Sequence, residues 1–382
     1  VAADGENVAI KNVLAGEVWI CSGQSNMQWK MRGFGVDHFK EDVVKANHPN
    51  IRYCEVPQIL SLEPQDNISC RWSICSPKTV LNYSAVAYFF ADKLEQELGV
   101  PIGLISTNWG GSSAEAWVGA NWLEKDFPEF SAQYQKYPNI IAKSGANFPR
   151  GKTKPPKGLN HREPSVLYNK MIHPLIPLTF KGVIWYQGES NVEKPEQYAA
   201  LFPTLIKSWR EEWKQGDFPF YFVQIAPFSY KNSPLSAAFL REAQLKTLSV
   251  PNTGMAVTMD IGAADNIHPK QKKPVGERLA LLALAKDYGQ TNLVYSGPSF
   301  TSFKVKNKKI RLDFDHVGGG LASRDGEPLS CFTIAGEDKV FVPAEAEIEG
   351  DSIVVSSDQV TRPVAVRFGW GSADAPNLMN KE

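Results

Sequence analysis

The sequence predicts an α/β protein, a three-layer α/β/α sandwich built on a parallel sheet, followed by a small antiparallel β module. Three observations predict it. Between residues 17 and 288, short β-favouring runs alternate with runs of helical period, the signature of parallel strands joined by crossover helices. Several of those strand-like runs end in polar, glycine-containing turns, and in open α/β sheets ligands bind at the strands' carboxyl ends. From about residue 291 the pattern changes to short alternating strands with turn signals between them. The expected division is therefore an α/β unit at 1–290 and a β-rich module at 291–382.

The elements follow in order. Val8 to Leu14 alternates like an edge strand, and Val18-Trp19-Ile20 is an extended run stopped by Gly23. Ser25 then sits at a strand's carboxyl end. Met27 to His48 reads as a polar loop with a short helix over Phe39 to Lys45, and Ile51 to Val56 as a strand. Residues 57–82 look like loop because of Pro57, Pro64 and Pro77. Ser84 caps a helix with Val86, Phe89, Phe90, Leu94 and Leu98 at helical spacing, which Gly99 ends.

A strand at Ile102 to Thr107 runs into Asn108-Trp109-Gly110-Gly111-Ser112, whose glycines let backbone N–H groups approach a ligand. Residues 126–162 lack a usable period and read as a long surface excursion. Lys181 to Tyr186 is a strand ending in Gln187-Gly188-Glu189-Ser190-Asn191, and Pro195 to Trp213 is a helix. The strand Phe220 to Ile225, the helix Ala237 to Leu248 and the strand Ala256 to Ile261 continue the alternation. The following loop carries Asp265 and His268, and Pro269 or Pro274 opens a helix reaching Tyr288. The tail holds strand-like pieces at 303–314, 331–334, 340–342, 352–355 and 364–368.

Composition narrows the functions. With 41 basic and 41 acidic residues the chain has no net charge and no basic stripe, which argues against nucleic acid and anionic membranes as partners. No apolar stretch approaches the roughly 20 residues of a membrane span. The chain starts without methionine, so it is expected to be trimmed and an export signal would not be visible. The five cysteines lack CxxC spacing, which speaks against structural zinc; a bridge among Cys54, Cys70 and Cys75 fits the sequence without being fixed by it. Patterns for nucleotide, phosphate, zinc-protease and GxSxG chemistry are absent.

Ser25 needs a base. Asp265 and His268 are close enough in a loop for the carboxylate to hold the imidazole while Nε2 faces a serine. Cys21 lies in an apolar strand, where a thiol is inert, and Ser22 points into the sheet. His38, His48, His161, His173 and His316 lack an equally placed acid, although Glu163 follows His161, a pocket-lining candidate. Trp29, Trp109, Trp117 and Trp185 flank the motif turns, where each aromatic face would either stack on a sugar or pack in the core. Metal binding by Asp260, Asp265 and His268 lacks a fourth ligand.

Gly23-Gln24-Ser25-Asn26-Met27, Gly110-Gly111-Ser112, Gln187-Gly188-Glu189-Ser190-Asn191 and Asp265-x-x-His268 stand in the order of the blocks of SGNH (GDSL-like) hydrolases. In detail the chain resembles the sialate O-acetylesterase branch, which includes acetylxylan esterases. The resemblance runs from Val13 to Tyr288, and Gly318-Gly319-Gly320-Leu321 is similar to that family's β region. It implies Ser25 as nucleophile, His268 as general base and later acid, and Asp265 as the orienting acid. It further implies an oxyanion hole at Ser25, Gly110 or Gly111, and Gln187, with Asn191 or Glu189 as alternatives because the general pattern has Asn at the Gln187 position. Gln24, Asn26, Trp109, Glu189 and Asn191 are the implied substrate contacts.

The implied reaction is removal of acetyl groups from sugar hydroxyls, sialate 9-O-acetylesterase-like or on xylan or another polysaccharide, with no metal and no cofactor. An exported chain, secreted or periplasmic, is the matching expectation. A non-catalytic sugar-binding protein on the same fold, or an esterase for lipids, are the alternatives.

Overall fold

At the centre lies β1 (Glu17–Gly23), the first strand of a seven-stranded sheet. The computed structural model describes residues 10–33, 38–230 and 235–382, together with the backbone of the paired two-residue strands Ala2–Ala3 and Glu6–Asn7. The other strands are β2 (Ile51–Glu55), β3 (Trp72–Ile74), β4 (Ile102–Asn108), β5 (Gly182–Tyr186), β6 (Phe220–Val223) and β7 (Thr253–Ala256). Their order across the sheet is β7-β6-β5-β1-β4-β2-β3. All pairings are parallel except that of β3, which runs antiparallel to β2 at the edge.

Side chains alternate across a strand, so a sheet covered on both faces must be apolar at successive positions. That is what happens here. Ile20, Val183, Phe220 and Phe222 enter one core, with Leu201, Leu205 and Trp209 of the helix α2 (Pro195–Trp213) and Leu240 of α3 (Ser236–Lys246). Trp19, Cys21, Ile184 and Tyr221 enter the other, with Phe89, Phe90 and Leu94 of α1 (Ala85–Leu98) and Leu279 and Leu282 of α4 (Lys272–Asp287). The three layers follow directly from this alternation.

Local signals place the helix ends. Ser84 Oγ accepts the Ala87 N–H, and Gly99 stops α1 with a left-handed φ of 65°, as N- and C-caps do. At Gly23 the backbone of β1 is crowded against β5. Gly23 has φ 137°, and a Cβ there would lie 2.2 Å from the Tyr186 carbonyl oxygen of β5.

The C-terminal strands form a four-stranded antiparallel sheet of Ser299–Lys306, Lys309–Asp315, Ser352–Ser356 and Glu345–Glu349. Two smaller sheets join it around a third core containing Ile310, Phe332, Ile334, Ile353 and Val355. The first hairpin turns at Asn307, with φ 56°, as its turn residues predict.

Several expectations shift. The strand expected at 256–261 is Thr253–Ala256 instead, because Thr258 Oγ1 and the residues after it turn to meet the end of β6. Residues 57–82 are not all loop: β3 lies there, and Ile59–Ser61 pairs with Asn147–Pro149. The expected excursion at 126–162 contains the helices Ser131–Tyr134 and Tyr137–Ser144, anchored by buried Phe127, Phe130, Tyr137 and Phe148. Its aromatic anchors are irregularly spaced, so no period marks them. Residues 10–14 form no strand, while Val8 and Ala9 lie outside the described residues, as do residues 34–37 of the polar loop; the short helix there is Lys40–Lys45.

Cys54 and Cys70 form a disulfide, and Cys21, Cys75 and Cys331 are free. Burial raises the Cys21 thiol far above its ordinary range, which keeps it inert.

Replacing Gly23 with alanine adds both a left-handed strain and a clash with backbone, and is expected to destabilise the fold by at least about 2 kcal/mol. A denaturant midpoint equal to that of the wild type would show that the β1–β5 approach is not a constraint.

Candidate active site

Four strand ends converge. Gln24 to Gln28 follow β1, Trp109 to Ser113 follow β4, Gln187 to Asn191 follow β5, and the loop with His268 lies between β7 and α4. Ser25 opens a single helical turn, and its Oγ lies 2.8 Å from His268 Nε2. With Nδ1 carrying the ring proton, the hydroxyl donates to Nε2, the arrangement in which an imidazole removes a serine's proton. The two residues are 243 apart in sequence, and the fold alone brings them together.

Burial, with the charge of Lys272 second, holds the His268 imidazolium below its ordinary range. The neutral, basic form is favoured. Trp29 lies beside the ring, 5.6 Å between centroids. His268 N–H donates to Asn266 Oδ1, which shapes the loop locally. Asp265, three residues earlier, is exposed and makes no hydrogen bond or ion pair with His268 among the described residues. Asp260 is committed to Arg278 through two bonds of 2.8 and 2.6 Å.

The oxyanion candidates separate. Gly110 packs on Ser25, since a Cβ there would lie 3.3 Å from Ser25 Cβ, but its N–H donates to Gln28 Oε1 at 2.6 Å. The N–H groups of Ser25 and Gly111 have no partner among the described residues. Gln187 is fully buried and its amide donates to Asn191 Oδ1 at 2.7 Å and to the Ser112 carbonyl at 3.3 Å.

The side chains expected on the substrate are mostly walls. Gln24 Oε1 accepts the N–H groups of Gly188 and Ser190. Asn191 accepts the Ala114 N–H and donates to Glu115. Asn26 is fully buried and donates to Glu189 Oε1. Burial and internal bonding make these four side chains struts between turns rather than contacts to a sugar. Trp117 and Trp185 are core residues packed edge to face at 6.1 Å, which settles them on the core side of the two readings. Trp109 is 6% exposed and stacks flat on His161, with centroids 5.3 Å apart, and Arg150 lies over its ring at 5.8 Å. His48 has acidic partners, Asp92 and Glu95, but they lie on α1 and not at a strand end.

Two contributors carry no local sequence signal. Gln28 is read only as part of a loop, and Lys272 only as a helix residue. Lys272 is nevertheless fully buried, its Nζ 2.5 Å from Asn26 Oδ1 and above the rings of Trp29 and Tyr186. Burial lowers its ammonium to about 7 and raises the Glu189 carboxyl, each charge opposing the shift of the other.

A serine and histidine in contact at the carboxyl edge of a mostly parallel sheet, with helices on both faces, define the class: an α/β/α serine hydrolase. The sequence matches one family of that class over residues 15–285, and the chain belongs to it: carbohydrate esterase, sialic acid-specific acetylesterase. It is 35% identical to human sialate O-acetylesterase over 94% of this chain and 71% of that protein. Against the mouse sialate O-acetylesterase it is 33% identical over 80% of this chain, and spans only 63% of that relative's length. Among solved structures, a carbohydrate acetylesterase from Xanthomonas citri superposes with a TM-score of 0.83 at 38% identity, covering 96% of this chain and 78% of that one. Among the described residues no helix is long and apolar enough to cross a membrane.

If His268 acts as base, activity requires its neutral form, and a lowered folded-state pKa moves the loss of activity to lower pH. The acid limb of kcat/KM is expected to have its midpoint below about 6.5, the ordinary histidine value. A midpoint above neutrality, measured on an uncharged ester, would remove His268 from that role.

Proposed function

We propose that the protein is a carbohydrate O-acetylesterase working through a serine acyl-enzyme. The observation that carries the reading is the 2.8 Å contact between Ser25 Oγ and His268 Nε2 at the sheet edge, and membership of a carbohydrate esterase family supports it. Ser25 Oγ attacks the acetyl carbonyl as Nε2 takes its proton, forming a tetrahedral oxyanion. The free N–H groups of Ser25 and Gly111 are the donors for that charge, at a turn where they need no reorganisation. His268 returns the proton to the departing sugar oxygen. Water, deprotonated by the same nitrogen, then releases acetate and restores Ser25.

Asp265 belongs to the proposal as the carboxylate that steadies the imidazolium; its place in the loop supports this, though the side chain stands apart from the ring. The names of the relatives support a sialic acid as the acetylated sugar. The Cys54–Cys70 disulfide supports an oxidising home, secreted or periplasmic.

Wild-type protein is expected to cleave p-nitrophenyl acetate in preference to long-chain esters, and Ser25→Ala to lose about four to six orders of magnitude in kcat with unchanged circular dichroism. Binding of sugar without any ester cleavage by the wild type would establish the binding-protein alternative instead. Release of acetate from O-acetylated sialic acid against acetylated xylan decides the sugar. Thiol titration in denaturant is expected to count three reactive cysteines, and five would mean that the disulfide is absent in the isolated protein.

A further inference from the structure

Asn26, immediately after the nucleophile, is the meeting point of a buried chain of polar groups. Its Nδ2 donates to Glu189 Oε1 at 2.5 Å and to the carbonyl of Ile267 at 3.1 Å, and its Oδ1 accepts from Lys272 Nζ at 2.5 Å. Ile267 directly precedes His268, and Lys272 opens α4 four residues after it. The loop carrying the base is therefore gripped on both sides by one amide, and that amide is covalently next to Ser25. Glu189 arrives from the turn after β5 and fixes which way the amide faces: a carboxylate can only accept, so Nδ2 must point at it and Oδ1 at Lys272.

Burying an ammonium and a carboxylate is costly unless each is hydrogen-bonded. Both are fully or nearly fully buried, and no direct ion pair joins them among the described residues; Asn26 is the link. Lys272 also lies over Trp29, whose ring flanks that of His268. No such support comes from Asp265 in this structure.

We propose that Lys272, Asn26 and Glu189 act as one positioning device that registers the His268 loop on Ser25. It rests on the esterase reading and adds residues to it. Asn26 and Glu189 touch no reacting atom here; they act through the base. The titratable groups facing the device are His268 beside Lys272, Glu189 beyond Asn26, and the Tyr186 and Tyr230 hydroxyls toward Glu189, both held neutral by burial. Beside burial, the charge of Lys272 opposes formation of the imidazolium.

The experiment compares wild type, Asn26→Ala, Lys272→Met and the double variant on p-nitrophenyl acetate across pH. Loosening the loop by about an ångström is expected to lower kcat about 100-fold with KM little changed. Lys272→Met is further expected to move the acid limb of kcat/KM to higher pH, a change that a merely structural residue would not cause. The double variant should cost no more than the larger single loss, because the groups act as a unit. Wild-type kcat in Asn26→Ala, or an unmoved acid limb in Lys272→Met together with additive losses, overturns the proposal. Should Asn26→Ala fail to fold, the Lys272→Met profile decides alone. Absence of hydrolysis by the wild type would instead count against the esterase reading itself.

Discussion

The structure depends on how it satisfies polar groups in turns that are buried. Each strand of the sheet ends in a reversal too close to its neighbours for water to reach every N–H and C=O, and an unpaired buried group costs as much as a lost hydrogen bond. The turns therefore bond to one another. Gln24 N–H donates to the Tyr186 carbonyl, Gln24 Oε1 takes two N–H groups of the turn after β5, and Asn191 reaches back to Ala114 and Glu115. Glycine at position 23 makes the closest of these approaches sterically feasible.

The placement of Ser25 follows from that arrangement. Because Gln24 and Asn26 are both held by the turn after β5, the residue between them has little freedom, and its hydroxyl is aimed by its neighbours. His268 is held in a comparable way, through the carbonyl before it and the helix after it, and meets Ser25 without a reorganising step. Burial does a second job here: it keeps the imidazole neutral and thus basic. Preorganisation and basicity have one origin, the exclusion of water from the strand ends.

Much of this was legible in the chain. The alternation of strand and helix and the caps at Ser84 and Gly99 rest on local pattern, where neighbours in sequence are neighbours in space; Ser25 and His268 each stand in a local motif, and their pairing across 243 residues was implied by the family resemblance. The buried aromatics at 127–148 escaped because they fill gaps in another element's surface and follow no period of their own. Local pattern puts Gln24, Asn26, Glu189 and Asn191 in the site but does not say what their side chains face. A polar residue in a motif turn has the same sequence appearance whether it faces a ligand or an adjacent turn.

By itself, then, the sequence determined the layered α/β class, the late change to β structure and the residue types the chemistry needs, since these depend on periodicity and on turn chemistry. Only the tertiary structure decided that Gly110 spends its N–H on Gln28 while Gly111 does not, that Cys70 and not Cys75 pairs with Cys54, and that the exposed Asp265 side chain makes no hydrogen bond to His268. It also decided that a lysine of α4 reaches Asn26, next to Ser25. The physical reason is range: Asn26 meets Glu189 across 163 residues and Lys272 across 246, and a hydrogen bond's partner over such a span is chosen by the packing of the sheet rather than by anything adjacent in the chain.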